Sequence, residues 1–284
     1  MKQQLTYLLI IFLSATLTAQ SGNQKKIKVE NEDKEILEKI FSQLKNKKDK
    51  TTAELIEETG RLLLETPYVA HTLETDKEQL VINLRELDCT TYAENCLAIA
   101  RTIKKGKLTF KQFTKELTLI RYRNGSIDGY PSRLHYFSDW IFENDSQGFV
   151  KRVTEQISNT PYPLEVNYMS NHPDSYKQLT DNNDFIARIA KKEKEISSRK
   201  MFYIPENRVT DFEDKLKVGD IVGITTSIEG MDIQHVVILV KKNDRIHIMH
   251  ASSKAEKVIV SEGTLEDYLL GNKRATGIMV ARPL

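Results

Sequence analysis

The sequence of 284 residues is poor in several features that would define a protein class. It holds two cysteines and one tryptophan, and its charge is balanced, with 42 Lys and Arg against 40 Asp and Glu. Two cysteines exclude a disulfide-rich scaffold, and neither Cys-x-x-Cys nor His-Glu-x-x-His, two common zinc motifs, occurs. The balanced charge gives no electrostatic reason to expect nucleic acid or a membrane surface as a partner.

A long apolar run is also missing. The most apolar segment, residues 8–13, follows Lys2 and gives way to small and polar residues by Ala19. A transmembrane helix needs about 20 continuous apolar residues, whereas this layout is typical of a secretory signal peptide. We therefore interpret residues 1–19 as a signal peptide and expect a periplasmic or secreted chain that begins near Gln20, without membrane insertion after cleavage. No cysteine follows the apolar run closely, so a lipid anchor is not expected.

The spacing of apolar residues divides the rest of the chain into a helical part and a later, strand-rich part. We predict helices over residues 30–44, 53–64, 88–104 and 110–120, and strands over residues 221–225, 235–240, 245–249, 257–260 and 277–280. Residues 80–84 fit either a strand edge or a buried loop, and residues 121–201 are predicted to form loops and short helices. Helices followed by a meander of strands favour the α+β class over an alternating parallel sheet.

The two cysteines, Cys89 and Cys96, lie seven residues apart in a predicted helix. Two turns separate them by roughly 10 Å along the helix axis, but a disulfide needs Cα atoms within about 7 Å. We therefore expect at least one free thiol. Cys96 lies within an apolar stripe and is predicted to be a core residue. Asp88 is a good N-cap, which places Cys89 in the first helical turn, where the helix dipole is expected to lower the thiol pKa.

A thiol nucleophile needs a base, and His235 is the best-placed of the six histidines because it begins an apolar run typical of a central strand. A satisfied core histidine is the alternative. The next predicted strand ends at His250, which would then lie beside His235 and orient it as the third member of a triad. A metal site is not expected, because His247 and His250 differ by three positions and would point to opposite faces of a regular strand.

In combination, these residues resemble the NlpC/P60 superfamily of papain-like cell-wall hydrolases, and within it the DUF1460 family of N-acetylmuramoyl-L-alanine amidases. The matching segments are residues 66–69, 88–90, 219–222, 232–236 and 250–252, together with the arginine-rich and aromatic residues 121–123 and 133–140. The resemblance spans roughly residues 59–284, with residues 74–84 as an apparent insertion. It implies a papain-like α+β fold, with the nucleophile at a helix N-terminus packed on a C-terminal antiparallel sheet. We divide the exported chain into an N-terminal extension, residues 20–50, and a catalytic domain, residues 51–284, with an insert at about residues 121–205.

The resemblance implies an amidase that cuts the bond between the lactyl group of N-acetylmuramic acid and L-alanine in peptidoglycan or muropeptides. We expect it to act without a cofactor and as a monomer. The thiolate would attack the carbonyl, and the backbone N–H of Cys89, with the hydroxyl of Tyr68 as a second donor, would hold the oxyanion. Two alternatives stay open. One is an endopeptidase for the bond between γ-D-glutamate and the diamino acid, and the other is a non-catalytic wall-binding module.

The resemblance also suggests residues that bind the substrate: Arg121, Arg123, Arg133 and Asp232. A guanidinium group matches a carboxylate in a bidentate fork, so the arginines would bind carboxylates of the stem peptide. His135 and Trp140 are predicted to be packing residues.

Overall fold

The computed structural model describes residues 27–284, so the predicted signal peptide, residues 1–19, lies outside it. The helices are α1 (Asn31–Leu44), α2 (Thr52–Leu62), α3 (Cys89–Lys104), α4 (Phe110–Arg121), α5 (Phe137–Ser146), α6 (Thr154–Ile157), α7 (Tyr168–Asn171), α8 (Asn183–Ser197) and α9 (Leu265–Leu270). Short 3₁₀ helices occupy Arg123–Gly125, Tyr130–Ser132, Pro173–Ser175, Glu206–Arg208 and Thr210–Lys215. Within residues 27–284, no helix combines the length and the apolar character that a bilayer span requires.

One antiparallel sheet dominates the second half of the chain. The strands are β1 (Ile27–Lys28), β2 (Leu80–Val81), β3 (Val150–Arg152), β4 (Thr160–Tyr162), β5 (Met201–Pro205), β6 (Ile221–Thr226), β7 (Ile233–Lys242), β8 (Arg245–Ser252), β9 (Lys257–Thr264) and β10 (Ala275–Pro283). Eight of them form the sheet in the order β4-β5-β10-β6-β7-β8-β9, with β3 paired to β10, and β1 and β2 form a separate parallel pair. The predicted α+β class, with helices first and an antiparallel sheet afterwards, is confirmed.

The sheet buries both of its faces. Val236 and Ile238 of β7 belong to the larger apolar cluster, which also contains the buried residues of α2 and α3. The alternate residues Val237 and Leu239 belong to a smaller cluster, together with apolar side chains of α9. A strand covered on both faces reads as a continuous apolar run, which is why the sequence of β7 indicated a central strand.

The helix α3 begins at the predicted cap. The carboxylate of Asp88 accepts a hydrogen bond from the backbone N–H of Thr91 at 2.7 Å, and the hydroxyl of Thr91 accepts one from the N–H of Asp88 at 2.9 Å. Such a capping box satisfies amide groups that the helix itself leaves without acceptors. Cys89 is the first residue of α3, as predicted.

The middle of the chain is more regular than we expected. In place of loops and short helices it contains α8, which has 15 residues, and β5, which joins the main sheet. Only Ile189, Glu193 and Ile196 of α8 are buried, and a charged run from Lys191 to Lys194 interrupts its apolar pattern. The helical periodicity was therefore too weak to reveal α8 in the sequence.

Candidate active site

A cleft of about 240 Å³ lies where the beginning of α3 meets the beginning of β7. Cys89 and Thr90 contribute to it from α3, and Asp232 and His235 from the β7 side. His135 and further side chains from α7 and from the segment that precedes α5 complete the lining. The fold thus brings Cys89 and His235, which are far apart in the sequence, into one cleft.

The thiol of Cys89 is partly buried, and its sulfur lies close to the first residues of β7. Burial, followed by the negative charge of Asp88, raises the pKa of Cys89 to about 11, although the backbone N–H of Val236 and the hydroxyl of Thr90 act in the opposite direction. The sulfur lies 3.9 Å from the Thr90 hydroxyl oxygen. The expectation of a lowered thiol pKa is therefore wrong, because removal from water outweighs the helix dipole. The thiol is therefore protonated at neutral pH, and it would need a base to become a thiolate.

His235 and His250 form a hydrogen-bonded pair. Nε2 of His235 lies 2.6 Å from Nδ1 of His250, and the two rings meet edge to face at 83°. Burial, with a smaller contribution from His250, lowers the pKa of His235 to about 3, and burial lowers the pKa of His250 to about 4. Both imidazoles are therefore neutral at neutral pH. The predicted proximity of the two side chains on neighbouring strands is confirmed.

Tyr268 of α9 covers this pair, and the sequence analysis did not identify it. Its ring lies 6.0 Å from the ring of His235 in a stacked arrangement and 5.7 Å from that of His250 edge to face. Burial, and then the nearby Cys89, raise the pKa of Tyr268. The capping box between Thr264 and Asp267 could have located the short helix, but no local signal places its tyrosine over the histidines.

Tyr68 lies beside the start of α3. Its backbone pairs with Leu87, and its N–H donates to the carbonyl of Glu256 at 2.9 Å. Burial, and then the charges of Cys89 and Asp88, raise the pKa of Tyr68. The phenol is therefore protonated at neutral pH and is available as a hydrogen-bond donor near the thiol.

Arg121 does not reach the cleft. Its side chain is 1% exposed; Nε donates to the carboxylate of Glu94 at 2.6 Å, and Nη1 donates to the carbonyl of Val81 at 2.6 Å. To bind a substrate carboxylate, this guanidinium would have to leave a buried ion pair, which costs several kcal/mol. The expectation that Arg121 binds substrate is therefore wrong.

The other two arginines are also paired and also lie outside the cleft lining. Arg123 donates to the carboxylates of Asp139 and Glu143, the latter at 2.7 Å. Arg133 is buried and donates to Glu74 at 2.7 Å. Both guanidinium groups hold parts of the fold together, so the structure corrects their expected role as carboxylate-binding groups.

Asp232 does line the cleft, but its carboxylate is engaged by the backbone. Its Oδ2 accepts from the N–H of Ser138 in α5 at 2.7 Å, and its Oδ1 accepts from the N–H of Ile233 at 2.8 Å. Burial raises the pKa of this carboxyl group. Asp232 therefore ties α5 to the start of β7 beneath the cleft.

The histidines and cysteines do not form a metal site in the described part of the chain. Within residues 27–284, no group of three or more His, Cys, Asp or Glu side chains is arranged to hold an ion. Nδ1 of His247 lies 3.2 Å from the carbonyl of Ser261, so this histidine is engaged with the backbone of β9. Cys89 and Cys96 are both free thiols, and Cys96 is fully buried, as expected for a core residue.

Comparison with known proteins gives one family and several similar structures. The family model described as AmiA-like, N-acetylmuramoyl-L-alanine amidase-like, matches residues 58–278. An N-acetylmuramoyl-L-alanine amidase from Bacteroides uniformis is 40% identical, with a TM-score of 0.79 over 82% of this chain and 99% of that one. A proposed xylanase from Bacteroides fragilis is 41% identical, with a TM-score of 0.75 over 78% of this chain and 98% of that one. A DUF1460 protein from Legionella pneumophila, 20% identical with a TM-score of 0.67 over 89% and 95% of the two chains, shares the fold. No curated protein matches the chain.

Proposed function

The chain belongs to the AmiA-like family of N-acetylmuramoyl-L-alanine amidase-like proteins, and from this premise we propose that it is a cysteine amidase that hydrolyses the N-acetylmuramoyl-L-alanine bond of peptidoglycan or muropeptides. One observation carries the proposal: a free thiol at a helix start shares a cleft with His235, whose ring is hydrogen-bonded to His250 behind it on the neighbouring strand. We further assign the chain to the NlpC/P60 superfamily, with the papain-like placement of a nucleophile helix against a sheet.

The histidine pair supports a definite tautomer for the base. If Nδ1 of His250 accepts the hydrogen bond, Nε2 of His235 carries the proton, and Nδ1 of His235 keeps a lone pair. That lone pair can take the proton of the Cys89 thiol. His250 then stabilises the imidazolium that forms on His235, which is the role of the third member in a triad.

The thiolate so formed attacks the carbonyl carbon of the lactyl group. The backbone N–H of Cys89 is in the first helical turn, where amide groups have no acceptor within the helix, so it can hold the oxyanion. The hydroxyl of Tyr68 is the proposed second donor. The tetrahedral intermediate collapses to a thioester as His235 returns its proton to the amino group of L-alanine, and water then hydrolyses the thioester to the free acid and the thiol.

The name of the similar Bacteroides fragilis protein raises glycoside hydrolysis as a second possibility. That reaction normally uses two carboxyl groups that flank the bond, about 5 to 9.5 Å apart. Asp232 is the only carboxyl group among the described residues that line the cleft, and its two oxygens are engaged by backbone N–H groups. This observation favours the amidase over a xylanase.

The remaining proposals concern the setting of the reaction. We propose that residues 1–19 direct export to the periplasm or beyond, that residues 51–284 form the catalytic domain, and that the enzyme acts as a monomer without a cofactor. Cell-wall material, as intact peptidoglycan or as muropeptides, is then the partner that the chain meets after export.

Digestion of defined muropeptides followed by mass analysis of the products tests the function. Release of the intact stem peptide supports the amidase, whereas L-alanyl-D-glutamate left on the sugar would instead identify the endopeptidase. Xylo-oligosaccharides are digested in parallel to test the xylanase alternative.

The Cys89→Ala protein should be inactive, and Cys96→Ala, which removes the other thiol from the same helix, should retain most of the activity. If Cys89→Ala gives the same products as the parent, the cysteine mechanism is wrong; if neither protein yields products but both bind wall fragments, the chain is a binding module.

A further inference from the structure

One wall of the cleft is built by the short helix α7 and by a tyrosine that is hydrogen-bonded to it. Tyr168 and Met169 of α7 line the cleft together with Tyr136, which precedes α5. The helix has only four residues, too few to be stable alone, so its position depends on contacts with the rest of the fold. The N–H groups at a helix start have no acceptor within the helix, and their partners show what holds α7 in place.

Two of these N–H groups bind the loop that leads into β7. The N–H groups of Asn167 and Tyr168 both donate to the carbonyl oxygen of Gly230, each at 3.1 Å. The loop passes so close to α7 that a Cβ atom at Gly230 would lie 2.4 Å from Oδ1 of Asn167. Met231, the next residue, also lines the cleft. This contact joins α7 to the strand that carries His235.

The next two N–H groups bind a single carboxylate oxygen from α8. Oε1 of Glu193 accepts from the N–H of Met169 and from the N–H of Ser170, each at 3.1 Å. The same oxygen accepts from the hydroxyl of Tyr136 at 2.6 Å, and that hydroxyl also accepts from the N–H of Met169 at 3.1 Å. Burial, and then the hydrogen bond to Glu193, raise the pKa of Tyr136, so its phenol is protonated and can donate.

The carboxylate of Glu193 lies deep in the fold, where it is 2% exposed. Burying a carboxylate is costly unless it is well hydrogen-bonded. Its three donors all come from Tyr136 and α7, and no lysine or arginine among residues 27–284 forms an ion pair with it. Glu193 is therefore the group that connects the two parts of the cleft wall.

We propose that Glu193 is a positioning residue of the amidase, whose carboxylate holds Tyr136 and α7 together as the wall against which the substrate binds. This inference rests on the proposed function and adds a residue that acts on the substrate only through that wall. Cys89 and His235 belong to α3 and β7, and neither is hydrogen-bonded to Glu193. Loss of the carboxylate should therefore weaken substrate binding more than it slows the chemical step.

The test replaces the carboxylate and measures KM and kcat separately. On N-acetylmuramoyl-L-alanyl-D-isoglutamine, Glu193→Met should raise KM about tenfold and change kcat by less than about threefold, because the wall binds the ground state and the transition state alike. Glu193→Gln keeps an oxygen acceptor at the same position and should recover most of the loss. Equal KM values for Glu193→Met and the parent would overturn the inference.

A second buried carboxylate controls for a general loss of stability. Glu116 of α4 is 0% exposed and accepts from Nε of Arg101 at 2.9 Å, and neither residue lines the cleft. Glu116→Met should lower Tm, as Glu193→Met does, but leave KM unchanged. If KM rises equally in both variants, Glu193 acts through stability alone and the inference is wrong.

Tyr136→Phe tests the same contact from the other side, and it also serves if Glu193→Met does not fold. It keeps the ring in the cleft and removes only the hydroxyl, so KM should rise about threefold, and an unchanged KM would contradict the inference. Combined with Glu193→Met, it should raise KM no further than Glu193→Met does alone, because the two residues act as one unit. Fully additive effects would show that they act separately.

Binding measurements separate this inference from the proposed function. Calorimetric titration of Cys89→Ala and of Cys89→Ala with Glu193→Met, with the same muramoyl dipeptide, needs no cleavage. If the parent does not cleave the compound but Cys89→Ala binds it more tightly than the double variant, the amidase proposal fails and the role of Glu193 in binding stands. If the parent cleaves it and the two titrations agree, the amidase proposal stands and the inference fails. No cleavage by the parent and no binding to Cys89→Ala would overturn both.

Discussion

Nε2 of His235 and Nδ1 of His250 lie 2.6 Å apart, on neighbouring antiparallel strands. Both imidazoles are neutral, so one of them must donate to the other. The register pairs Ile238 with Met249, which places the two histidines diagonally on one face of the sheet, where side chains are still within reach of each other. In the proposed mechanism His250 is the acceptor of this hydrogen bond and so sets the tautomer of His235.

Replacement of His250 tests that role. His250→Ala removes the acceptor for Nε2–H of His235, so kcat should fall by a factor on the order of 10² to 10⁴, the range that triads show when the orienting residue is lost. His250→Asn places an amide oxygen near the former Nδ1 and should recover part of this loss. Steady-state kinetics on a muropeptide measure both variants, and KM should change little. If His250→Ala and the parent have the same kcat, His250 does not orient the base.

The pH dependence of kcat/KM should lack the acid limb usual for histidine. If His235 is the base, activity needs its neutral form and should be lost as the pH falls through the pKa of that group, about 3. With the thiol pKa near 11, no essential group of the free enzyme changes protonation between about pH 5 and pH 9. The measured profile should therefore be flat over that range. An acid limb near 6.5 would show that His235 titrates normally and would contradict this prediction.

Stability should depend on pH through the same histidines. The folded pKa of His250, about 4, lies below the ordinary value of 6.5, so the unfolded chain binds more protons, and stability is present above pH 6.5 and lost as the pH falls. Between pH 7 and pH 5, the free energy of unfolding of the parent should fall by about 2 kcal/mol more than that of His250→Asn. Urea unfolding at the two pH values measures the difference. Buried carboxyl groups contribute equally to both proteins. If the free energy of unfolding changes equally with pH in the two proteins, the pKa of His250 is not lowered in the folded state.

The buried pair of Arg121 and Glu94 should matter for stability rather than for binding. Arg121→Met leaves the Glu94 carboxylate buried without a partner, which should lower the free energy of unfolding by roughly 3–5 kcal/mol. Combining Arg121→Met with Glu94→Leu should restore much of that loss. The exposed pair of Arg61 and Glu57 gives the control, because Arg61→Met should cost less than about 1 kcal/mol. If the Arg121→Met protein is as stable as the parent but has a higher KM, Arg121 binds the substrate after all.

The hydroxyl of Tyr68 should contribute to catalysis. If it donates to the oxyanion, Tyr68→Phe should lower kcat by about 10² to 10³, as for the loss of other oxyanion donors. Tyr268→Phe is the matched control, because the ring of Tyr268 packs on the histidine pair and phenylalanine keeps that ring. Its kcat should stay close to that of the parent. Equal effects of the two substitutions would assign Tyr68 a packing role.

The sequence alone was sufficient for features that depend on neighbours along the chain. Asp88 as a cap predicted where α3 begins and put Cys89 in its first turn. The apolar run after His235 and the strand that ends near His250 predicted two neighbouring strands, and antiparallel pairing then required the two imidazoles to lie close together. Helix capping, the spacing of apolar residues and the order of consecutive strands are short-range properties, so local sequence patterns predict them.

Only the tertiary structure decided which side chains are buried and what they contact. The helix start suggested a lowered pKa for Cys89, but burial against β7 reverses the direction. Arg121 resembled a substrate-binding residue until Glu94, 27 positions away, proved to be its partner. His135 resembled a packing residue until the fold placed it in the cleft of Cys89. Desolvation and the choice of hydrogen-bond partner depend on atoms that come together only when distant segments pack. The periodicity and spacing of residues along the chain therefore cannot predict either of them.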